Sequence, residues 1–455
     1  IIMSLYLNSN QTLEIIKNKI KNISKSNFNI ILNNLFNITE KIIDFMKNKS
    51  VTGFENDLSI GINSESFGIT TGQGTNPLLW TLGHICYFYE FHFFKYIINN
   101  YKFYINNCDL YDSFVTDRPS RFNFKAHSKK EIFKYYNYVK TTTYKLLNKS
   151  TFNNEFKYLL LLSILHNHMH CESIIFTKKL LGFDNTFNNN KITKTNLNFP
   201  FIEIKKGTFI QGNLNGENLI AFDNEMPQFN KHINNFIVSK FCVTEKIVCQ
   251  FINDDGYSKK ELWCNNGWKW LTDNNISLPY YWIKKNNDFY INDYNILRPI
   301  SDNLPISHIS WYEACAIAKW MGGRLPTESE WEYLATNCGK TKFPWGNIMD
   351  NNIANLNYSG SVCSVDCFSD GDNHNGVRQL FGNVWEWCME PLYPYNGFTI
   401  DPVYREFSYP FFGFKKILRG GCWAVPDILI NSRYRNAQMP DCRIQFTGFR
   451  VVKDY

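Results

Sequence analysis

Leu165-His166-Asn167-His168-Met169-His170-Cys171-Glu172 places two histidines four residues apart. On a helix, residues i and i+4 lie on one face, one turn above the other, so His166 and His170 are spaced to share a metal ion. The surrounding run from Phe156 to Leu181 reads as one apolar helix stopped by Gly182, because glycine takes the left-handed backbone that ends helices without a Cβ penalty. His166 and His170 gain their meaning from the segments on either side.

Working outward, the patterns from about Leu13 to Leu181 are helical. Ser128 and Glu131 form a capping-box signature ahead of apolar positions Ile132, Tyr136, Val139 and Leu146, which predicts a helix over 128–147. Asn76 to Asn99 reads as another helix and carries His84 and His92. With an N-terminal helix and the His166 helix this makes four, and an up-down bundle is the economical packing. Asn185 to Asn198 is polar and Asn/Thr-rich, a linker. Beyond it the periodicity breaks into short strands and turns, with helices clearest at Trp311–Met321 and Glu328–Ala335. Eleven of the 12 tryptophans lie beyond Leu262. The chain therefore divides into a helical domain over 10–184, a linker over 185–195 and a loop-rich domain over 196–455.

The 455 residues are ordinary globular material, 44% hydrophobic and 20% charged. The 17% aromatic content goes with an excess of Asn, Lys and Ile, and reads as codon bias. A net charge of +7 spread along the chain, with no basic-aromatic motif, predicts no nucleic-acid partner. The 13 cysteines are scattered without a C-x2-C pair, which argues against a zinc ribbon or a secreted disulfide framework. No apolar run reaches the ~18 residues of a membrane span, and Ile1-Ile2-Met3-Ser4 lacks the features of a signal peptide. A cytoplasmic protein with no membrane partner is the expectation, with Met3 as the expected initiator and the oligomeric state open.

The second domain holds an ordered series of strings: Asn198-Phe-Pro-Phe-Ile-Glu-Ile-Lys-Lys-Gly207, His308-Ile-Ser-Trp311, Arg324-Leu-Pro-Thr-Glu-Ser-Glu-Trp331, Gly382-Asn-Val-Trp-Glu-Trp387, Leu418-Arg-Gly-Gly421 and Phe446-Thr-Gly-Phe-Arg450. In this order they resemble the formylglycine-generating-enzyme-like fold, a C-type-lectin-like scaffold. Most are structural: tryptophans that fill a core of small sheets, and buried Arg/Glu pairs that tie loops together. The Arg-Gly-Gly turn is followed by Cys422-Trp-Ala-Val-Pro-Asp, and the next cysteine is Cys442, which does not fit the cysteine pair of copper-dependent formylglycine formation.

In the first domain, Asn76-Pro-Leu-Leu-Trp80-Thr-Leu-Gly-His84 resembles the first-ligand segment of DinB-like domains, and His166, His170 and Glu172 resemble their H-x3-H-x-E motif. A DinB-like four-helix bundle joined to this scaffold is the architecture of the sulfoxide synthases of thiol-histidine biosynthesis. The chain resembles the hercynylcysteine sulfoxide synthases of the ergothioneine branch, an impression reinforced by Phe222-Asp-Asn-Glu225-Met-Pro227, Gly256-Tyr257, Glu261-Leu-Trp263, Gly267-Trp268 and Tyr111-Asp-Ser-Phe-Val-Thr-Asp-Arg118-Pro-Ser-Arg121. The resemblance implies Fe(II) held by His84, His166 and His170, with Glu172 orienting an imidazole, and with His92 the rival of His84 on its helix. It implies an O2-dependent C–S bond between the imidazole of hercynine and a cysteine-type thiol, with sulfoxidation. Tyr404, in Asp401-Pro-Val-Tyr404, matches the proton or electron donor. Arg118 and Arg121 match arginines near the thiol substrate, where a guanidinium grips a carboxylate bidentately. Asn436 matches a contact to the histidine-derived substrate. Gln438 and Cys442 stand where the actinobacterial branch has an Asp and an Arg that grip γ-glutamylcysteine, which makes free cysteine at least as good a donor and leaves a selenium analogue open.

Two other readings remain at this point. The ovothiol branch, 5-histidylcysteine sulfoxide synthase, would use plain histidine with cysteine; its frequent fused methyltransferase has no counterpart in a chain without a glycine-rich nucleotide loop. A non-catalytic lectin-like binding protein would hold no iron and take up no O2.

Overall fold

The computed structural model describes residues 23–47, 75–122, 127–187, 197–213, 221–350 and 352–455. The first residues of the predicted N-terminal helix lie outside these, as does most of the predicted linker. Two compact units result, divided at Leu181/Gly182. The first also takes in two pieces from far along the chain, Asn215–Asp223 and Thr399–Phe407. That differs from the division expected from sequence, which assigned everything after 196 to the second domain.

The first unit is built on four long helices: α1 (Lys25–Ile43), α2 (Leu78–Tyr89), α3 (Lys129–Lys149) and α4 (Asn154–Leu180). The Ser128–Glu131 capping box is formed at the start of α3, each side chain satisfying the other residue's backbone N–H. Asn153 caps α4, and Gly182, with φ at +74°, follows its last turn. α4 is buried on nearly every side, and Phe156 to Leu162 show no polar stripe, as a helix at the centre of a bundle requires. α2 does not run straight to Asn99. A π-helical turn over Glu90–Phe94 interrupts it, and a last turn, Lys95–Ile97, follows. Glu90 is fully buried there, accepting hydrogen bonds from the hydroxyls of Tyr101 and Tyr135 and from the Tyr104 N–H at 2.9 Å.

The second unit has little regular structure for its size. Its strands are β1 (Phe201–Ile204), β2 (Gly207–Gln211), β3 (Phe229–Ile233), β4 (Phe236–Ser239), β5 (Trp282–Lys285), β6 (Asp288–Asp293), β7 (Ile296–Pro299), β8 (Trp385–Pro391), β9 (Lys416–Arg419), β10 (Asn436–Gln438), β11 (Thr447–Gly448) and β12 (Val452–Asp454). They make four small sheets among the described residues, in the orders β1-β4-β12, β2-β3, β5-β6-β7 and β10-β9-β8-β11. All pairings are antiparallel except β8 with β11. Its helices are α5 (Glu245–Asn253), α6 (Asn265–Asp273), α7 (Trp311–Trp320) and α8 (Glu328–Ala335). The last two lie where the sequence places helices and carry capping boxes, Ser310 with Glu313 and Thr327 with Glu330. α5 and α6 are new: α6 is capped by Cys264, whose sulfur accepts the Gly267 N–H, a weak signal to read in a sequence.

So much irregular backbone is held by buried ion pairs. Arg419, fully buried on β9, donates to Glu328 and Glu332 of α8 at 2.9 and 2.7 Å. Arg435 donates to Glu328 as well, and Arg450 to Glu386. All 13 cysteines are free. No helix among the described residues is long and apolar enough to cross a membrane.

Candidate metal centre

The first unit brings His84 of α2 together with His166 and His170 of α4. One nitrogen from each lies within 4.8 Å of the others, and the Nε2 atoms of His166 and His170 are 3.2 Å apart. Two nitrogens each about 2.1 Å from one ion, at right angles, would sit roughly 3 Å apart, so the His166–His170 spacing suits two ligands of one ion. His84 and His166 are buried and His170 is partly exposed, which gives the cluster one open side. Among the described residues no carboxylate or thiol joins it, and three imidazoles suit iron, zinc, copper or nickel.

Each ring is held from behind. His84 donates its Nδ1–H to the backbone carbonyl of Tyr111 at 2.7 Å, which fixes the tautomer and turns Nε2 toward the other two rings. Trp80 stacks on the face of the His84 ring, planes 10° apart. Phe88 stacks on His166 at 3.6 Å. Ser173 Oγ lies 3.5 Å from Nδ1 of His170. Burial is the main force on the titrations. It lowers His84 to about 4, against the opposing effect of the Tyr111 carbonyl, and holds His166 and His170 well below the ordinary imidazole range, with their histidine neighbours adding to the shift. All three are neutral at pH 7, the state in which imidazole binds metal.

His92 is not part of the cluster. Its ring packs tilted against Phe88, 4.2 Å between centroids, and burial lowers it to about 3. Glu172 is buried on α4, but the orienting group the structure supplies to His84 is the Tyr111 carbonyl. Sequence reading missed it because a carbonyl has no residue identity. The available sign was Gly83, a glycine inside an apolar helix. A Cβ there would lie 2.3 Å from the Tyr111 ring. Tyr111 cannot easily yield, being fully buried with its hydroxyl 3.0 Å from Nδ1 of His127. Gly83→Ala is therefore expected to cost about 1–3 kcal/mol of overpacking, offset in part by about 1 kcal/mol of helix propensity. It should also weaken metal binding by about 10-fold or more, as loss of an orienting partner does. Thermal unfolding and metal titration together check this; a lower midpoint with unchanged affinity would sever the link to His84.

Tyr404 arrives from the Thr399–Phe407 segment. Its ring is 5.9 Å from that of His166 and 5.0 Å from Phe88. Arg121 is buried and has a framework role that its sequence reading did not foresee. It donates to Thr116 O, Asn76 Oδ1 and Ser113 O at 2.9, 2.9 and 2.7 Å, and its guanidinium lies 4.3 Å from the Trp80 ring. Three of its five N–H groups are thus engaged. Burial, then the like charge of Arg118, lowers Arg121 to about 10, so it remains a cation at neutral pH. Arg118 is half-buried at the start of the short helix Arg118–Phe122. Asn436 and Gln438 belong to the second unit, two apart on β10 and so on one face of that strand, with buried Ala437 between them. Cys442 is buried there and burial pushes its thiol up, so it is uncharged.

Residues 187–455 match the family model of the sulfatase-modifying factor enzyme 1-like domain. The chain is similar to hercynine oxygenase of Mycolicibacterium thermoresistibile, 27% identical over 361 residues that cover 76% of this chain and 79% of the relative. It is 32% identical to hercynine oxygenase of Mycolicibacterium smegmatis over 246 residues, 51% of this chain and 56% of the relative. With the formylglycine-generating enzyme of Streptomyces coelicolor it shares 34% identity over 173 residues, 33% of this chain and 53% of the relative. The chain thus spans about half the length of these last two relatives.

Proposed function

We propose that this chain, an oxygenase-type enzyme that belongs to the sulfatase-modifying factor enzyme 1-like domain family, is a sulfoxide synthase. In this reading it joins the imidazole of hercynine to a cysteine-type thiol, with Fe(II) on His84, His166 and His170 and O2 as co-substrate. The observation that carries the reading is the convergence of three neutral imidazoles from α2 and α4 in a chain whose relatives are named hercynine oxygenases. The reaction balances as thiol plus imidazole C–H plus O2 giving the C–S sulfoxide and one water.

Iron bound by three nitrogens would supply open positions for substrates and for oxygen activation. The other tasks fall to the protein. Tyr404 has its phenol pushed up by burial, so it keeps its proton at neutral pH and serves as a donor. Arg118, with the two N–H groups of Arg121 that carry no hydrogen bond among the described residues, is the candidate grip for the carboxylate of the thiol donor. Asn436 and Gln438 are the candidate contacts for hercynine and the thiol donor. Neither Gln438 nor Cys442 offers a charge to the extra groups of γ-glutamylcysteine, which favours free cysteine.

The test is to load metal-free protein with Fe(II) without oxygen, then admit O2 with hercynine or histidine, each paired with cysteine or γ-glutamylcysteine, and identify products by mass spectrometry. A hercynine-derived sulfoxide supports the reading. A product from histidine alone assigns the ovothiol-type reaction, and no O2 uptake with any pair defeats both.

The lowered imidazoles make a separate prediction. Free histidines, with pKa ~6.5, would release nearly three protons on binding one ion at pH 5.5. Groups already neutral at that pH release almost none. Titration calorimetry of metal into the protein in two buffers of different ionisation enthalpy should therefore give clearly less proton release at pH 5.5 than three free histidines would. The same shift has a folding consequence of definite sign. These imidazoles are neutral in the fold and charged in the unfolded chain below ~6.5, so the stability they contribute is present above that pH and is lost as pH falls toward about 4.

A further inference from the structure

We infer that Tyr158 and Asp401 act as positioning residues that hold Tyr404 against His166, an inference that rests on the reading of Tyr404 as the donor in the proposed reaction. Asp401 is 5% exposed, and among the described residues it forms no ion pair. A buried carboxylate without a cation is costly unless hydrogen bonds replace its water. Here they do, and all of them organise one loop. Oδ1 accepts the backbone N–H of Val403 at 2.7 Å and of Tyr404 at 3.1 Å, an Asx-type turn. Oδ2 accepts the hydroxyl of Tyr158. The N–H of Asp401 itself reaches Asp223 Oδ2 at 3.4 Å.

Tyr158 is fully buried on α4, eight residues before His166 and so about 12 Å along the same helix. The carboxylate therefore connects the helix that bears two of the three histidines to the backbone N–H of Tyr404. The segment is also anchored by aromatic contacts: Phe407 stacks on Phe222 at 4.2 Å, and Tyr404 packs edge-on to Phe88. An apolar residue at 401 could fill the same volume and leave no carboxylate to satisfy. What it could not do is fix the turn that sets where the phenol points. Burial raises both the Tyr158 phenol and the Asp401 carboxyl, and Tyr158 is the member that keeps its proton and donates.

The experiment combines kinetics with a measurement that needs no metal. Tyr158→Phe preserves volume and removes the hydroxyl. It is expected to lower kcat by up to about 100-fold, the scale on which a small misplacement of a reacting group acts, with KM for both substrates nearly unchanged. In a Tyr404→Phe background the same substitution should cost nothing further. Hydrogen–deuterium exchange on the metal-free protein should show the 399–407 segment exchanging at least about 10-fold faster in Tyr158→Phe, with the thermal midpoint held within a few degrees. Asp401→Asn, which retains an acceptor for the two N–H groups, should recover part of what Asp401→Ala loses. Equal losses in both backgrounds, or unchanged exchange in the segment, would overturn the inference. If the wild-type protein makes no sulfoxide, the functional reading fails while the exchange measurement still decides whether the tether exists. Faster exchange with no kinetic effect in an active enzyme leaves a structural tie alone, and the positioning role is lost.

Discussion

His170→Ala is expected to abolish stable metal binding and turnover together, while the metal-free protein stays folded. Three imidazoles are the whole donor set of the cluster, so the substitution removes a third of the ligands. Losing merely an orienting partner costs a metal site about 10- to 100-fold in affinity, and losing a ligand should exceed the upper figure. The fold has less to lose. His170 is partly exposed and its ring makes no described hydrogen bond to another helix, so no buried donor or acceptor outside the cluster is orphaned. The fitting control is His92→Gln. His92 lies on α2's continuation, two turns beyond His84, and burial likewise lowers its pKa, but it packs on Phe88 and is not part of the cluster. Metal content after loading, measured by elemental analysis, should fall to background in His170→Ala and stay near one ion per chain in His92→Gln. Added imidazole should restore part of the first, because the space left by the side chain admits the same ligand. A His170→Ala protein that keeps its metal and its activity would remove the assignment of the site.

The contrast between His170 and His92 also shows what a sequence can and cannot disclose about such a centre. The four-residue spacing of His166 and His170 sits on one continuous helix, so local geometry alone brings the two rings together. His84 and His92 stand on one apolar run, and the carbonyl that arrives from Tyr111 to orient His84 leaves only the indirect sign of Gly83 in the residues. Tyr404 is the harder case. Its segment follows β8 in the chain but packs with the helical unit, through Tyr158 and through the rings of Phe88 and His92. Periodicity carries information over a few turns or a few strand residues, so a contact between residues 243 apart in the chain is invisible to it. Arg121 failed to disclose its framework role for a different reason. An arginine matching a substrate grip and an arginine tying together three carbonyl oxygens look alike until the acceptors are placed around it. The capping box at Ser128 was legible because donor, acceptor and helix all lie within four residues, and those at Ser310 and Thr327 have the same short spacing.

Glu386→Ala should produce the largest loss of stability of any single substitution considered, about 3–5 kcal/mol. Glu386 sits in the Gly-Asn-Val-Trp-Glu-Trp string on β8 and is 1% exposed. Its Oε2 accepts from Arg450 Nε at 2.6 Å and from the Trp331 indole N–H at 2.9 Å; its Oε1 accepts from Arg450 Nη2 at 2.6 Å and from the Cys242 thiol at 3.4 Å. The side chain thus joins β8 to α8, to the loop after β4 and to the segment before β12. Removing it strands a fully buried guanidinium, whose remaining acceptors are backbone carbonyls of Ser239, Lys240 and Arg378 and the Cys242 sulfur. A domain whose whole stability is about 5–15 kcal/mol has little margin for such a loss. The consequence reaches the proposed substrate contacts, because β8 pairs with β9 and β9 with β10, the strand of Asn436 and Gln438. The energetic origin can be isolated with a second variant. If the cost is that of an unpaired buried cation, Glu386→Leu combined with Arg450→Met should be less destabilising than Glu386→Ala alone, since two apolar side chains of similar volume leave no charge to solvate. Denaturant unfolding of the wild type, the single and the double variant, followed by tryptophan fluorescence from the second unit, measures the order. A double variant that is less stable than the single one would mean that the carboxylate's ties to Trp331 and Cys242, and not its charge, hold this part of the fold.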